Sequence, residues 1–160
     1  MIGVDLSEAI LEEAEKLRPA LYDERIADDV MAVFRAKNPI SLIVAADSYI
    51  YFGDLVPLFE AMDDGMSSSQ GNLAFTLENV DLETELTLTE SKPDWRWQLT
   101  ASGRFAHRKE YVTAVASKHG FSLIHYESID GFRHEQGRDV RGHLFVMARS
   151  TPSNSDHAEL

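Results

Sequence analysis

The run Leu42-Ile43-Val44-Ala45-Ala46, closing abruptly on Asp47, limits what this chain can fold into more than any other stretch. It is too apolar for a strand with one wet face, so it predicts a buried parallel strand covered by helices on both faces. A second cluster, Tyr49, Ile50, Tyr51 and Phe52, leads to Gly53, after which Asp54 is placed to cap a new helix. In open α/β sheets, ligands bind outside the carboxyl ends of the strands. Asp47 therefore stands where a site is expected, although a plain turn residue would fill the same position.

The rest of the chain falls into place around that strand. Residues 2–6 read as a short strand ending at Asp5, and Ser7 caps a helix with Ile10, Leu11, Ala14 and Leu17 on its inner face until Pro19 stops it. A second short strand over 21–26 closes on Ala27-Asp28-Asp29, and a helix from Val30 to about Ala36 ends before Asn38-Pro39. Beyond the central strand, a helix buries Leu55, Leu58, Phe59 and Met62, with Pro57 in its first turn. A loop over 65–71 and an apolar strand over 72–77 follow. The alternation of Leu82, Thr84, Leu86 and Leu88 then predicts a hairpin arm that turns at Lys92-Pro93-Asp94 and returns through Trp95, Trp97 and Leu99. A helix from about Arg108 buries Tyr111, Val112, Val115 and Ala116 and closes on Gly120. The final strands, 121–129 and 143–148, are joined by a polar loop too short for a crossover helix, so they must be antiparallel.

The expected fold class is α/β, a Rossmann-like open sheet with helices on both faces and an antiparallel final strand pair. Residues 1–150 form the domain, and 151–160 have no apolar content to bury and are expected to be disordered.

Composition excludes several classes of function. A net charge of −12 over 160 residues repels phosphate backbones and anionic lipid, so neither nucleic acid nor a membrane surface is an expected partner. The most basic cluster, from Arg133 to Arg141, is interrupted by Glu135 and Asp139. The absence of cysteine rules out disulfides, thiolate catalysis and thiolate metal sites. No apolar run reaches the ~18 residues of a membrane span and no secretory signal pattern opens the chain, which points to a cytoplasmic location. His119, His125, His134, His143 and His157 lack metal-ligand spacing, so no metal is expected. Hydrolase motifs are absent.

Five motifs occur in order: Gly3-Val4-Asp5-Leu6-Ser7, Ala27-Asp28, Val44-Ala45-Ala46-Asp47, Tyr51-Phe52-Gly53-Asp54-Leu55 and Ser102-Gly103-Arg104-Phe105-Ala106-His107. Together they resemble class I S-adenosylmethionine-dependent methyltransferases, most nearly the bacterial ones often fused to tetratricopeptide repeats. The resemblance covers nearly the whole chain to Arg149. It implies S-adenosyl-L-methionine as cofactor and a small-molecule methyl acceptor. It places Asp5, with Leu6 beside it, at the ribose hydroxyls, where a carboxylate can accept two hydrogen bonds from a vicinal diol. Asp28 corresponds to the acid at the adenine amino group, with Asp29 next to it, though paired acids before a helix also stabilise its dipole. Ala45 and Ala46 offer main-chain carbonyls to the methionine part, and Asp47 and Tyr51 line the floor between cofactor and acceptor.

The chain also departs from that family. The family's first strand and glycine-rich turn lie upstream of the first motif, so this chain corresponds to the portion after that turn. The absent strand would lie between those ending at Asp5 and Asp47, supplied by a covalent or separate N-terminal segment. Ser41 stands where the family usually has Asp, and Ser67-Ser68-Ser69-Gln70 where it usually has Pro-Gly-Gly.

Arg104 and His107 follow the aromatic insertion and are candidates for the acceptor side, Arg104 as a planar fork and His107 or Asp47 as a base. Trp97, with Trp95, would suit a lid over an apolar acceptor or simple packing of an edge hairpin. Two other readings stay open: a non-catalytic relic or interaction subunit, and half of a nicotinamide-binding oxidoreductase. The antiparallel last pair and the motif at 102–107 speak against the second.

Overall fold

The computed structural model of the chain describes residues 1–66, 71–135 and 137–149. The loop motif at 67–70 and the tail from 151 onward lie outside the described residues. Strand β1 (Ile2–Asp5) leads through the Ser7 cap into helix α1 (Glu8–Leu17), then into β2 (Glu24–Ala27) and α2 (Val30–Ala36). The apolar run forms β3 (Leu42–Ala45), followed by a single 3₁₀ turn over Tyr49–Tyr51, helix α3 (Val56–Gly65) and strand β4 (Asn72–Glu78). Helix α4 (Leu82–Ser91), strands β5 (Trp97–Leu99) and β6 (Phe105–His107) and helix α5 (Lys109–Lys118) come next. The long strands β7 (Phe121–Glu135) and β8 (Arg138–Arg149) close the chain.

The strands form two hydrogen-bonded sheets, a parallel pair β1–β2 and a six-stranded sheet centred on β4. Along its whole length β4 pairs antiparallel with β8, and β8 in turn with β7. Its other edge pairs parallel with β3 over Asn72 to Phe75 and with β6 at Glu78. This is an α/β Rossmann-like open sheet with an antiparallel final pair, in which strands and helices alternate from β1 to α4.

The core lies on one face of the larger sheet. Ile43 and Ala45 from β3, Leu73, Phe75 and Leu77 from β4, and Phe145 and Met147 from β8 meet Phe34 of α2, Leu58, Phe59 and Met62 of α3, and Val112, Val115 and Ala116 of α5. Phe75 and Phe145 stack with centroids 5.3 Å apart. Side chains alternate along β3, so Leu42 and Val44 stand on the opposite face, 58% and 68% exposed. The central strand is thus covered on one face only, and its edge away from β4 has no strand partner among the described residues.

Three further expectations change. Residues 82–91 are a helix, not a hairpin arm, because the Asp81 side chain accepts from the Thr84 backbone N–H at 2.8 Å and starts a helical turn. Of the inner face expected for α1, Leu11 is buried, whereas Ile10 and Leu17 are exposed. That helix packs on two strands spaced about 5 Å apart, a support narrower than its own width. The glycines at 65 and 142 are not loop residues. A Cβ on Gly65 would overlap the backbone of Phe34, and one on Gly142 would overlap the Phe132 ring, so both sites need the missing side chain.

Candidate functional site

Two groups of polar residues sit at strand carboxyl ends, and no hydrogen bond or ion pair links them among the described residues. The first belongs to the small sheet. One Asp5 oxygen accepts the Ser7 backbone N–H at 2.8 Å, and the other has no partner among the described residues. Leu6 beside it is 78% exposed, an apolar side chain held in water next to a carboxylate. Asp28 accepts from the backbone N–H of Asp29 at 2.7 Å. Asp29 is the N-cap of α2, accepting from Met31 at 2.8 Å and Ala32 at 3.2 Å, so its carboxylate is committed to the helix.

The second group gathers around a guanidinium that sequence reading did not single out. Asp47, just past β3, adopts φ +55°, in the left-handed region that Asp tolerates better than most residues. Its N–H donates to Thr76 Oγ1 at 2.9 Å, and its Oδ1 accepts from Arg133 at 2.7 Å. Arg133 also pairs with Glu78, the buried acid that ends β4, and stands 3.7 Å from Glu135. Glu135 in turn accepts from Arg104 at 2.9 Å. The Tyr51 hydroxyl and the Glu135 carboxylate both hold the Arg104 guanidinium in its charged form. Asp47 and Arg104, with Tyr51 beside Arg104, are therefore linked through Arg133 and Glu135 from the far half of β7.

Arg133 lies 86 residues from Asp47, and only the antiparallel return of β7 and β8 beside β4 brings it over the strand ends. Its interrupted basic cluster was the available signal, and of the two acids within it Glu135 belongs to the site, whereas Asp139 pairs with His134 on the surface.

His107 has a different setting from that of an exposed base. Its ring is fully buried, Nε2–H donates to the Gly53 carbonyl at 3.0 Å, and burial pushes its pKa down to about 4. It therefore pins the 47–55 loop. Tyr111 adds to this: its hydroxyl accepts from the Leu55 N–H at 2.8 Å and donates to Asp54 at 2.7 Å. Trp97 is half-buried under the same loop, against Gly53 and 5.3 Å from the Tyr111 ring. Ala45 is buried, while the Ala46 carbonyl at the strand end accepts from Ser48 Oγ at 3.1 Å. Trp95 is in a separate small cluster with Val80 and Ala106.

No protein-family model and no curated protein sequence matches the chain. Solved structures do. The magnesium protoporphyrin IX methyltransferase of Synechocystis PCC 6803 with bound S-adenosylhomocysteine matches at TM-score 0.61 and 12% identity, over 93% of this chain and 63% of that one. An N-methyltransferase of Bradyrhizobium japonicum WM9 in complex with S-adenosylhomocysteine matches at 0.63 and 13%, over 92% and 65%. A SAM-dependent methyltransferase from Methanosarcina mazei matches at 0.64 and 11%, over 93% and 81%. The chain thus spans less than two thirds of the length of the first two. At these identities the likeness establishes the fold.

Proposed function

We propose that this chain is a methyl-transfer domain that uses S-adenosylmethionine and acts on a small molecule. The observation that carries the reading is the pair of acids, Asp5 and Asp47, at the carboxyl ends of β1 and β3 in a fold shared with proteins solved with bound S-adenosylhomocysteine. The residues of the small sheet fit such a ligand: Asp5 has an open oxygen for a ribose hydroxyl, and exposed Leu6 offers an apolar surface to the base. Asp28 stands at the end of β2 for the adenine amino group, whereas Asp29 is occupied as a cap.

When bound, the cofactor supplies a methyl group on an activated sulfonium. The chain's own part is then to align the acceptor and exclude water. The main-chain carbonyls of Ala45 and Ala46 face the methionine part, and Tyr51, Trp97 and Arg104 hold the acceptor. Where the acceptor must lose a proton, Asp47 takes it, and neutral His107 keeps the loop in register. The acceptor is neither a nucleic acid nor a membrane lipid, given the chain's charge of −12, and the cytoplasm is the expected location.

Calorimetric titration with S-adenosylhomocysteine tests this reading. Asp5→Ala should weaken binding by about 1–3 kcal/mol through lost charge-assisted hydrogen bonds. Arg104→Ala should leave it within about twofold, because that side chain serves the second ligand. Equal affinity in the Asp5→Ala chain would remove the basis of the proposal. A second reading, a non-catalytic interaction subunit, draws on the commitment of Asp29 to a cap and of Arg133 to three acids. It predicts no binding of S-adenosylhomocysteine at all.

A further inference from the structure

We propose that Arg104 and Arg133 form a receptor for an aromatic carboxylate, and that Glu135 occupies the place of that carboxylate when no acceptor is bound. Naming this ligand as the acceptor rests on the methyl-transfer reading, whereas the receptor itself rests on geometry. The two oxygens of Glu135 face two guanidiniums, Oε1 at 2.9 Å from Arg104 and Oε2 at 3.7 Å from Arg133. Arg133 is held in orientation from its other side, where its terminal nitrogens pair with Asp47 and Glu78. What remains for exchange is its Nε edge together with the fork of Arg104.

Charge selects the class of ligand. Asp47, Glu78 and Glu135 against Arg104 and Arg133 leave one negative charge in excess. A ligand carboxylate that replaces Glu135 leaves this balance unchanged. A phosphate dianion would worsen it, and an ammonium group would meet two guanidiniums at close range. Burial permits the exchange. The Arg104, Arg133 and Glu135 side chains are 22%, 20% and 30% exposed, sheltered enough for a strong pairing yet reachable by water.

Glu135 is also placed to leave. It ends β7 beyond the register shift between Ile129 and Arg133, opposite Arg138 at the hairpin turn, so a side-chain rotation releases it without breaking the core ladder. Tyr51, 61% exposed and close enough to Arg104 to favour its charged form, adds an aromatic side chain to this cluster, and that favours an aryl group on the ligand carboxylate.

Benzoate is the probe, titrated by NMR into the full chain and its variants, with benzamide and benzylamine as controls. Glu135→Gln should tighten benzoate binding about tenfold, since the internal competitor loses its charge. Arg104→Gln added to Glu135→Gln should cancel that gain, and neither control should respond. Should Glu135→Gln lose its dispersed amide spectrum, Glu135→Ser makes the same comparison. Benzoate binding that Glu135→Gln leaves unchanged, or tighter binding of benzylamine than of benzoate, overturns the proposal. S-adenosylhomocysteine is titrated into the same samples. Its binding without the benzoate response removes the receptor and keeps methyl transfer, and the benzoate response without it does the reverse.

Discussion

Gly65 sits in the last turn of α3, where a Gly→Ala change in an ordinary helix would stabilise by up to about 1 kcal/mol. Here the added carbon would overlap the Phe34 carbonyl, and backbone cannot step aside as a side chain can. Gly65→Ala should therefore destabilise by about 1–3 kcal/mol, as overpacking does, measured by urea unfolding. At this scale the sequence was legible where chemistry is local. Asp5 beside a Ser cap and the left-handed Gly120 at φ +76° are both readable from their neighbours. Arg133 and Glu78 were not, because their partners come from distant elements. His107 was read from its titration range, but burial decides its state, and burial depends on how β6 packs under the 47–55 loop.

Helix α4 shows how an element can defeat a periodicity argument. Leu82, Thr84, Leu86 and Leu88 alternate as a strand would, yet Leu82 and Leu86 are both more than 60% exposed and only Leu88 reaches the Val80–Trp95–Ala106 cluster. With no buried residue of its own, this helix depends on the Asp81 cap, with Glu83 in its first turn, and on two tertiary ties, Leu88 and the Glu85 pairing with Arg141 at 2.9 Å. Asp81→Ala should weaken the helix by about 1 kcal/mol. Hydrogen exchange should then quicken across 82–91 while β4, held in the core, stays protected. The elements read correctly from sequence, such as α3 and α5, are those whose apolar residues bury where their period says they should; the antiparallel final pair follows instead from its short connection, since β7 leaves Leu123 and Ile124 40% and 62% exposed. Strand β3 is readable in place and direction, whereas the exposure of Leu42 and Val44 depends on what else covers the sheet.

Two buried histidines make the whole molecule sensitive to acid. His143 donates from Nε2 to the His107 carbonyl at 3.2 Å and accepts the Tyr126 hydroxyl on Nδ1 at 2.8 Å, and burial pushes it, like His107, down to about 4. Both are neutral when folded and take up a proton more readily when unfolded. Their contribution is therefore complete above the unfolded pKa near 6.5 and is lost as pH falls toward 4. Urea unfolding at pH 5 should show a loss of at most about 2 kcal/mol per histidine relative to pH 7.5, and His143→Gln should flatten the slope. The division into two sheets also bears on cooperativity. The β1–β2 pair shares no ladder with the larger sheet among the described residues, and in α1 only Leu11 is buried, so residues 1–29 are held to the rest chiefly by side-chain contacts such as the Glu24–Lys37 ion pair. They should be the segment that opens most readily by itself, with faster hydrogen exchange over 1–29 than over the β4-centred sheet. A ligand gripped at Asp5 and Asp47 together would fasten the two parts. Saturation a hundredfold above its Kd would hold that segment closed by about 2.7 kcal/mol, turning a chain that melts in two steps into one that melts in one.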